Sequence, residues 1–425
     1  MKTTIAFFRR GAAALCALLF LAAAFCLRIN ASAADGAAPD TAGDSAASLV
    51  SDRDASGEYD ASAAVTLAPG DDLTISEAGI YILSGSYENQ MLTVQAGDED
   101  KVQIVLNNAQ IANADGPAIL VRSADKVFLT AAAGSENSIS DGSGYTLNEG
   151  DTAVDAAVFS KADLTVNGSG SLSITGNTKH AVVSKDDLVV TAKNLIVSSA
   201  ASALTGKDAV TLLDASVSIQ AGTDGIHSEG TVTVLGGSLT AQCGDDAVHA
   251  DGKADIAGGT VTLNAAEGIE ATYVLIRSGD ISIQASDDGI NAAYKSDAYT
   301  PTVEITGGNL TVTMGAGDTD GIDSNGNLII SGGTVSVTAG SAFDFDGSVS
   351  FTGGTVYVNG QQVTELSSQF MGGRGGMGGQ GGHGSFGTPP DMSGDIPAGF
   401  GGQPPSGFHG PHGGQGGPGS FGEGS

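Results

Sequence analysis

The sequence contains no tryptophan, and aromatic residues make up only 5% of its 425 positions. Basic residues are also scarce, with 17 Lys and Arg against 48 Asp and Glu and a formal net charge of −31. This excess of negative charge repels phosphate backbones and anionic lipid surfaces, so it argues against nucleic acid as a partner. The shortage of large apolar side chains argues against a layered α/β enzyme. Cations and partners bridged by cations fit this composition better.

The N-terminal segment 1–33 is typical of a secretory signal peptide. Arg9 and Arg10 precede an apolar run over residues 11–27, and small residues at positions 31–33 suit cleavage. A signal anchor is the alternative, but no second apolar segment of spanning length follows. We therefore expect a secreted or extracellular cell-surface protein that has no membrane span in its mature form.

Cysteine is nearly absent from the chain that remains after export. Removal of the signal peptide leaves 13 basic and 48 acidic residues, a net charge of −35, and Cys243 as the one thiol. An exported fold with a single cysteine cannot rest on an internal disulfide. We expect Cys243 to be a small buried or turn residue whose acidic neighbours raise the pKa of its thiol.

Composition divides the mature chain into three regions. Residues 34–62 are rich in Ala, Ser, Asp and Gly without periodicity, which predicts a flexible leader. Residues 367–425 form a Gly/Pro-rich tail, with 23 Gly between positions 371 and 425, and composition predicts that it is disordered. Residues 63–366 carry the repeats described next and are predicted to form the folded domain.

A short acidic box recurs through the second half of this domain. Its first residues are Asp224, Asp246, Glu267, Asp288 and Asp320, and a degenerate copy begins at Ser341. The complete copies read Asp224-Gly-Ile-His227-Ser-Glu229-Gly, Asp246-Ala-Val-His249-Ala-Asp251-Gly and Asp320-Gly-Ile-Asp323-Ser-Asn325-Gly. The boxes follow one another at a nearly constant interval, except that the interval from Asp288 to Asp320 is longer because it contains an extra stretch around positions 294–302.

Between the boxes, two short alternating strands flank a Gly-Gly corner, as in Leu328-Ile-Ile-Ser-Gly-Gly-Thr-Val-Ser-Val. Three short strands in about 21–22 residues, with glycine at the corners and no helical segment, match one coil of a parallel β-helix. We therefore predict an all-β, right-handed parallel β-helix of roughly 13 coils, since insertions and variable coil length favour the right-handed form. A β-sandwich or propeller is the alternative, but neither predicts so short a period.

Equivalent positions of successive coils stack in a solenoid, so the first residues of the boxes should form one column of side chains. His227, His249, Glu270, Asn291, Asp323 and Asp344 should form a second column, and Glu229, Asp251, Asn325 and Asp346 a partial third. From Asp208 to Gly347 there are 20 acids and 3 basic residues, and we expect no basic side chain to neutralise these columns.

Oxygen-only clusters of this kind suit Ca²⁺ better than zinc or iron. The candidate ligands are Asp224, Asp245, Asp246, Asp251, Glu267, Glu270, Asp287, Asp288, Asp318, Asp320, Asp323, Asp344 and Asp346. Solvated turn acids are the alternative, because Asp-Gly is a common turn signal. Turn chemistry accounts for one Asp per coil but not for doubled acids aligned between coils, so we favour calcium. We expect His227 and His249 to be exposed turn residues.

Catalysis is a second hypothesis, because doubled acids can serve as the carboxylate pair of a glycoside hydrolase. The Gly-His-Gly around His383 lies in the tail, and the ordered motifs of a polygalacturonase are missing. A calcium-dependent lyase needs a basic residue to accept a proton, and Arg277 is the only arginine near the boxes. We therefore predict that the protein is not an enzyme.

The boxes at 224, 246 and 320, alternating with Gly-Gly corners behind a signal peptide, resemble the exported β-helical carbohydrate-binding family of clostridial cell surfaces. The resemblance covers residues 65–360. It implies a calcium-containing parallel β-helix, related in fold to polysaccharide lyases, that binds cellulose and polygalacturonate-like glycans without established catalysis. The copies before Asp208 depart from the pattern, since His180 and Ser202 occupy the first column there.

Calcium held by carboxylates can also accept uronate oxygens, so an acidic protein can bind an acidic glycan through shared cations. We expect a monomer that binds acidic pectic glycan in preference to cellulose. The candidate sugar-contacting residues are Tyr273, Tyr294, Tyr299 and Lys295. A structural or adhesive surface protein is the remaining hypothesis, in which the tail would act through self-association.

Overall fold

A computed structural model of the protein describes residues 50–70, 73–146, 151, 153–316 and 319–368. The predicted signal peptide, most of the predicted leader, Asp318 and the tail from residue 369 lie outside the described residues. The described chain is an all-β parallel solenoid of about 12 turns, which confirms the predicted fold class. Among the described residues, no helix has the length and apolar character needed to cross a membrane.

The strands have the following bounds in the described part of the chain. Those before residue 200 are β1 Val65–Leu67, β2 Thr74–Ile75, β3 Gly79–Glu88, β4 Leu92–Gln95, β5 Lys101–Asn113, β6 Ile119–Ser123, β7 Lys126–Ala131, β8 Glu136–Asp141, β9 Ala156–Ser160, β10 Asp163–Gly168, β11 Ser171–Gly176, β12 His180–Ser184, β13 Leu188–Val190 and β14 Leu195–Ser199. Those after it are β15 Leu204–Gly206, β16 Ala209–Leu212, β17 Ala215–Ala221, β18 Ile226–Ser228, β19 Thr231–Cys243, β20 Asp246–Ala265, β21 Glu267–Ile276, β22 Asp280–Ala285, β23 Ile290–Ala292, β24 Thr302–Ile305, β25 Asn309–Met314, β26 Asp320–Ser324, β27 Asn327–Ile330, β28 Thr334–Thr338, β29 Ser341–Phe345, β30 Val349–Phe351, β31 Thr355–Val358 and β32 Gln361–Val363.

Apart from β32, which pairs antiparallel with β31, these strands form three parallel ladders, and each inner turn of the described chain contributes to all three. The first ladder runs through β1, β3, β5, β7, β10, β13, β16, β19, β20, β21, β24, β27 and β30. The second runs through β3, β5, β8, β11, β14, β17, β19, β20, β22, β25, β28 and β31. The third runs through β2, β4, β6, β9, β12, β15, β18, β20, β21, β23, β26 and β29. Long strands such as β20 bend at the corners and contribute to more than one ladder.

Alternation along each strand builds the core. In β17, Val217 and Ile219 are buried while Ser218 and Gln220 are exposed, so successive side chains face opposite sides. Val217 lies in register with Leu239 of the next turn, and both point inward. Each fully buried aliphatic side chain contributes about 1.5–3 kcal/mol, so stacked Val, Ile and Leu hold the solenoid without many aromatic residues.

Glycine has two different roles in the repeat. At the Gly-Gly corner, Gly333 has φ +78°, a conformation that L side chains rarely adopt. In the acidic box, Gly289 has no such φ, but an added Cβ would lie 2.3 Å from Val312 Cγ1 and 2.4 Å from the Gly321 carbonyl oxygen. At Gly289, glycine is therefore required by close packing between turns rather than by turn geometry.

The end of the predicted leader is folded, which corrects the prediction of a flexible segment up to residue 62. Helix α1, Asp52–Ser56, begins at a capping box between Ser51 and Asp54. Asp54 is 2% exposed and its carboxylate lies 2.9 Å from Lys126 Nζ on the outer side of the first ladder. The Thr191 hydroxyl donates to the Asp54 carbonyl oxygen at 2.6 Å. The ion pair of Asp54 and Lys126 therefore fixes residues that precede the predicted folded domain, which was expected to begin at residue 63.

Candidate functional site

The register of the third ladder confirms the predicted second column. His227 pairs with His249, His249 with Glu270, and Glu270 with Asn291. Asn291 then pairs with Asp323, and Asp323 with Asp344. The first column is equally direct where the strands include it, since Asp246 pairs with Glu267 and Asp320 with Ser341. We call the two columns together, from Asp224 to Asp344, the acidic edge.

We call Asp246, His249, Asp251, Glu270 and the inserted Lys295 the upper part of the acidic edge. Its acids are neutralised by basic side chains of the same chain. His249 Nδ1 lies 2.7 Å from Asp246 and 2.9 Å from Glu270, and its Nε2 lies 3.2 Å from Asp251. Lys295 Nζ lies 2.7 Å from the second oxygen of Glu270. The expectation that no basic side chain neutralises the columns is therefore wrong. The stretch inserted after β23 brings Lys295 back over the previous turn, and His249 is a largely buried partner of acids rather than an exposed turn residue.

These contacts set the charge of each group. Burial opposes ionisation of His249, but its hydrogen bonds to Asp246 and Glu270 outweigh burial and raise its pKa to about 10. Burial alone would raise the pKa of Glu270, yet its bonds to His249 and Lys295 lower it to about 2. Burial, outweighing the His249 hydrogen bond, together with the nearby Glu270 raises the pKa of Asp246 to about 6. These pKa shifts indicate a protonated His249 that bonds to the carboxylates of both Asp246 and Glu270.

On the preceding turn, His227 contacts one acid, Asp224, where His249 contacts three. His227 Nδ1 lies 3.0 Å from Asp224, and its ring stacks on that of His249 with centroids 4.7 Å apart and planes 8° from parallel. Burial opposes the effect, but the hydrogen bond from His227 lowers the pKa of Asp224. His227 thus hydrogen-bonds to Asp224, and His249 to Asp246, and in both pairs the histidine lies three residues after the acid.

We call Glu267, Asp288, Asn291, Asp320, Asp323 and Asp344 the lower part of the acidic edge. Here carboxylates of successive turns lie next to one another. Burial, with repulsion from Glu270 and Asp246, raises the pKa of Glu267 to about 8. Burial, with repulsion from Asp288, Asp320 and Asp344, raises the pKa of Asp323 to about 7. The pKa of Asp288 rises to about 6 through burial and repulsion from Asp320 and Asp287, although the Asp320 amide donates to it at 3.1 Å.

One amide in this lower part has an unused oxygen. Asn291 Nδ2 donates to Glu267 at 3.1 Å, while its buried Oδ1 has no hydrogen-bond partner among the described residues. The buried Thr319 hydroxyl, next to Asp320, is in the same situation within that part of the chain. Buried polar atoms are normally satisfied, so these two oxygens point to a missing partner. An acceptor oxygen beside carboxylates is suited to a cation.

The other candidate ligands are distributed differently. Asp245, Asp287 and Asp346 are exposed beside the columns, and Asp251 lies against His249. Among the described residues, two groups of His and acid side chains bring all their ligand atoms within 4.8 Å of one another. They are Asp246 with His249 and Glu270, and Asp163 with Asp186 and Asp187.

A profile of the carbohydrate-binding domain-containing protein family matches residues 69–316 and 266–363, which together cover most of the solenoid. The chain belongs to this family. A carbohydrate-binding domain-containing protein of Acetivibrio thermocellus is 28% identical over 129 residues, 30% of this chain and 45% of the relative. The match thus spans less than half of that relative. A solved polysaccharide lyase-like protein from C. thermocellum, a gadolinium derivative, is 22% identical with a TM-score of 0.33, covering 70% of this chain and 94% of that one.

The predicted sugar-contacting residues of this carbohydrate-binding domain lie in two places. Tyr273 and Tyr299 contact each other with ring centroids 5.8 Å apart, and the Tyr273 hydroxyl donates to Glu304 at the first ladder. Tyr294 is 71% exposed, and Lys295 is engaged with Glu270. Tyr273 and Tyr299 therefore make a tilted pair, whereas Lys295 belongs to the acidic edge.

Two features escaped the sequence reasoning. Asp163, Asp186 and Asp187 meet at the turn between the third and first ladders, in turns where the box has lost its acids. Burial, outweighing the opposing attraction of Lys126, raises the pKa of Asp163, and burial with repulsion from Asp163 raises that of Asp187. The second feature is a run of lysines in register on the third ladder. The signal for both was the pair of similar segments Lys161-Ala-Asp163 and Lys185-Asp-Asp187.

Cys243 behaves as expected. It is partly buried, and burial with repulsion from Asp224 and Asp246 raises the pKa of its thiol to about 12. A thiol that stays protonated is a poor nucleophile and a poor metal ligand. Cys243 is thus a packing residue beside the acidic edge.

Proposed function

We propose that this member of the carbohydrate-binding domain family is an exported, non-catalytic protein that binds acidic pectic polysaccharide through Ca²⁺ held on the acidic edge. The observation that carries the proposal is the lower part of that edge, where Glu267, Asp288 and Asp323 stack beside the orphaned Asn291 Oδ1. Cellulose is the second ligand to be tested.

The donor set of the lower part fits calcium. Carboxylate and amide oxygens are the ligands that Ca²⁺ prefers, and no sulfur or imidazole lies among these four residues. Like charges on adjacent turns, about 5 Å apart, repel one another by about 1 kcal/mol in water and by more at lower effective dielectric. A divalent cation would replace this repulsion by attraction and would supply the missing partner of Asn291. Ions on this part of the edge would draw their ligands from Glu267, Asp288, Asn291, Asp320, Asp323 and Asp344, which are spread over four successive turns.

The upper part fits an ion less well. His249 already bonds to Asp246 and Glu270, and Lys295 occupies the other oxygen of Glu270. A metal there would have to displace the His249 proton and break the Lys295 ion pair. We therefore assign calcium to the lower part and give the upper part a structural role.

Arg277 and Lys295 are already paired with acids of the chain, which supports binding without catalysis. Arg277 makes two hydrogen bonds to Asp255, at 2.8 and 3.1 Å, on the first ladder. It is therefore held away from the acidic edge, where a lyase would need a base next to its ion. Lys295 is paired with Glu270. Neither group is free to accept a proton α to a uronate.

One observation favours the hydrolase alternative. Glu267 and Glu270 occupy the same turn, and their pKa values are about 8 and about 2, which is the divergence expected of an acid and a base. The Asn291 amide bound to Glu267 and the Lys295 ammonium bound to Glu270 satisfy both groups without substrate. The product assays below decide between the two functions.

The test is retention of the mature protein on polygalacturonate, on cellulose and on a neutral galactan, with calcium and after its removal by dialysis. We expect polygalacturonate to retain the protein only with calcium. An Asp288→Asn, Asp323→Asn double variant should lose this retention. Asp280→Asn is the matched control, because Asp280 is an exposed acid of the second ladder.

Two outcomes would overturn the proposal. Retention that does not change with calcium would remove the bridging ion. Release of unsaturated products absorbing in the ultraviolet, or of new reducing ends, would replace the binding role by a lyase or a hydrolase.

A further inference from the structure

A pocket lies on the third ladder, at the end of the acidic edge that is nearer the N-terminus. It is a pocket of about 200 Å³ above Thr205 and Gly206. The second column has Val183 in the preceding turn and His227 in the following turn, so the small side chains between them leave a notch. A volume below the roughly 300–1,000 Å³ of drug-sized ligand pockets suits a single sugar ring.

The pocket is basic in an acidic protein. Lys179, Lys185 and Lys207 line it against Asp155 and Glu229. Residues 155–208 contain five lysines and five aspartates, so this stretch is neutral in a chain with a net charge of −31. Lys179 pairs with Asp155 at 2.7 Å, and Lys207 with Asp208 at 3.2 Å.

Two of the lysines that line the pocket, Lys185 and Lys207, are placed by the register of the solenoid. Ser160, Ser184 and Gly206 pair in successive turns, and each is followed directly by a lysine: Lys161, Lys185 and Lys207. Further along the same column come Glu229 and Asp251, because Gly206, Ser228 and Ala250 continue the pairing. The third column thus changes from basic to acidic at the pocket, and the charge reversal is a property of one continuous line of side chains.

Two polar atoms at the pocket lack partners in the described part of the chain. They are His180 Nδ1 and Thr205 Oγ1, both buried. A buried polar group without a hydrogen bond costs about 1–3 kcal/mol, so such groups are rare unless a ligand or water completes them. Ser202, which also lines the pocket, already donates to Asp224 at 3.2 Å.

We propose that this pocket binds one uronate residue of an acidic glycan without calcium. Its carboxylate pairs with Lys185 and Lys207, and its hydroxyls satisfy His180 Nδ1 and Thr205 Oγ1. The assignment rests on the proposed function for the nature of the polymer but on different residues and a different attraction. A uronate chain lying along the third ladder would meet ammonium groups first and calcium ions further on.

The experiment uses the mature full-length protein, freed of calcium by dialysis so that no chelator anion remains to compete. Titration calorimetry follows binding of sodium galacturonate, of its neutral methyl ester and of inorganic phosphate. We expect galacturonate to bind, and the ester and phosphate to bind much more weakly. A Lys185→Gln, Lys207→Gln double variant should bind galacturonate at least about tenfold more weakly, the loss expected of one charge-assisted hydrogen bond.

Two further variants separate binding from folding. Thr205→Val removes a hydroxyl that has no partner among the described residues, so its melting temperature should be unchanged or higher while galacturonate binds more weakly. Lys193→Gln is the matched control, because Lys193 donates to the Asp214 carbonyl oxygen and does not line the pocket. It should bind galacturonate as the unchanged protein does.

The assignment is overturned if the ester binds as tightly as galacturonate, if the double variant binds normally, or if Lys193→Gln weakens binding equally. Equal affinity for phosphate would show a general anion site and would also overturn it. Calcium-dependent retention on polygalacturonate, measured on the same preparation, keeps the two proposals distinct. Retention without galacturonate binding would reject the pocket alone, and galacturonate binding without calcium-dependent retention would reject the calcium bridge alone.

Discussion

In the turns up to residue 207, the buried carboxylates of Asp54 and Asp151 meet cations of the chain, whereas in the lower part of the acidic edge carboxylates lie against carboxylates. Asp54 pairs with Lys126, and Arg122 pairs with Asp151 at 2.6 Å. Asp288 and Asp323, in contrast, have pKa values raised by burial and by their acidic neighbours. The backbone register is the same in both regions. A solenoid can therefore carry, on one continuous scaffold, acids that pair with cations of the chain and acids that lie against other acids.

The largest effect should come from breaking a pair in the first region. Asp54→Ala leaves the Lys126 ammonium without its buried partner, and breaking a buried ion pair typically costs about 3–5 kcal/mol. We expect a loss of about 3 kcal/mol in the free energy of unfolding, measured by urea denaturation. Lys101→Ala is the control, because its pair with Asp125 is exposed at the surface and should cost less than about 1 kcal/mol. Equal losses in the two variants would contradict the contrast.

The Asp54 ion pair and the lower part of the acidic edge should respond to pH in opposite directions when calcium is absent. Burial favours the neutral form of Asp54, but hydrogen bonds from Ser51 and Thr165 and the ion pair with Lys126 lower its pKa. The contribution of Asp54 to the free energy of unfolding is therefore present above about pH 4 and is lost as the pH falls further. Glu267, Asp323 and Asp288 have raised pKa values of about 8, 7 and 6. Acids whose pKa is raised on folding stabilise the protein at low pH, and that stability is lost as pH rises from about 4 to about 8.

Melting curves between pH 4 and pH 9 check this prediction. The melting temperature should fall towards pH 8 in calcium-free buffer and should fall less when calcium is present, because the ion would hold the carboxylates ionised. A calcium-free profile that is flat across this range would contradict the stacking of acids on one another.

The smallest effect should come from removing one charge of the lower part. Asp323→Asn relieves repulsion from Asp288, Asp320 and Asp344 at a half-buried site. Solvent screening limits the gain, so we expect the variant to be more stable by about 1 kcal/mol without calcium. Added calcium should raise the melting temperature of the variant less than that of the unchanged protein. Differential scanning calorimetry of both forms measures it. Asp287→Asn is the control, since Asp287 is exposed and should change the calcium response little.

The sequence was sufficient to predict most of the fold. The regular spacing of Asp224, Asp246 and Glu267 indicated one coil per repeat, and the register of β18, β20 and β21 agrees with it. The stacking of His227 on His249 follows from the same period. Such predictions succeed because equivalent positions of a parallel solenoid lie above one another whatever their side chains are.

The sequence was not sufficient to predict which acids are neutralised. Lys295 contacts Glu270 because an inserted stretch turns back over the previous turn, and no period describes the path of an insertion. Asp54 contacts Thr165 and Lys126, which are both remote from it in the sequence. Contacts of this kind depend on where a non-repeating segment docks and on which rotamers its side chains adopt.

By itself, then, the sequence determined the parallel β-helix, the alignment of its columns and the excess of acid on one edge, because all three follow from a local period. Only the tertiary structure decided that His249 and Lys295 satisfy the upper acids, that Asn291 keeps an unused oxygen below them, and that Thr205 lies in a lysine-lined notch. Charge is a property of composition, but neutralisation depends on distances between atoms that only the folded chain brings together.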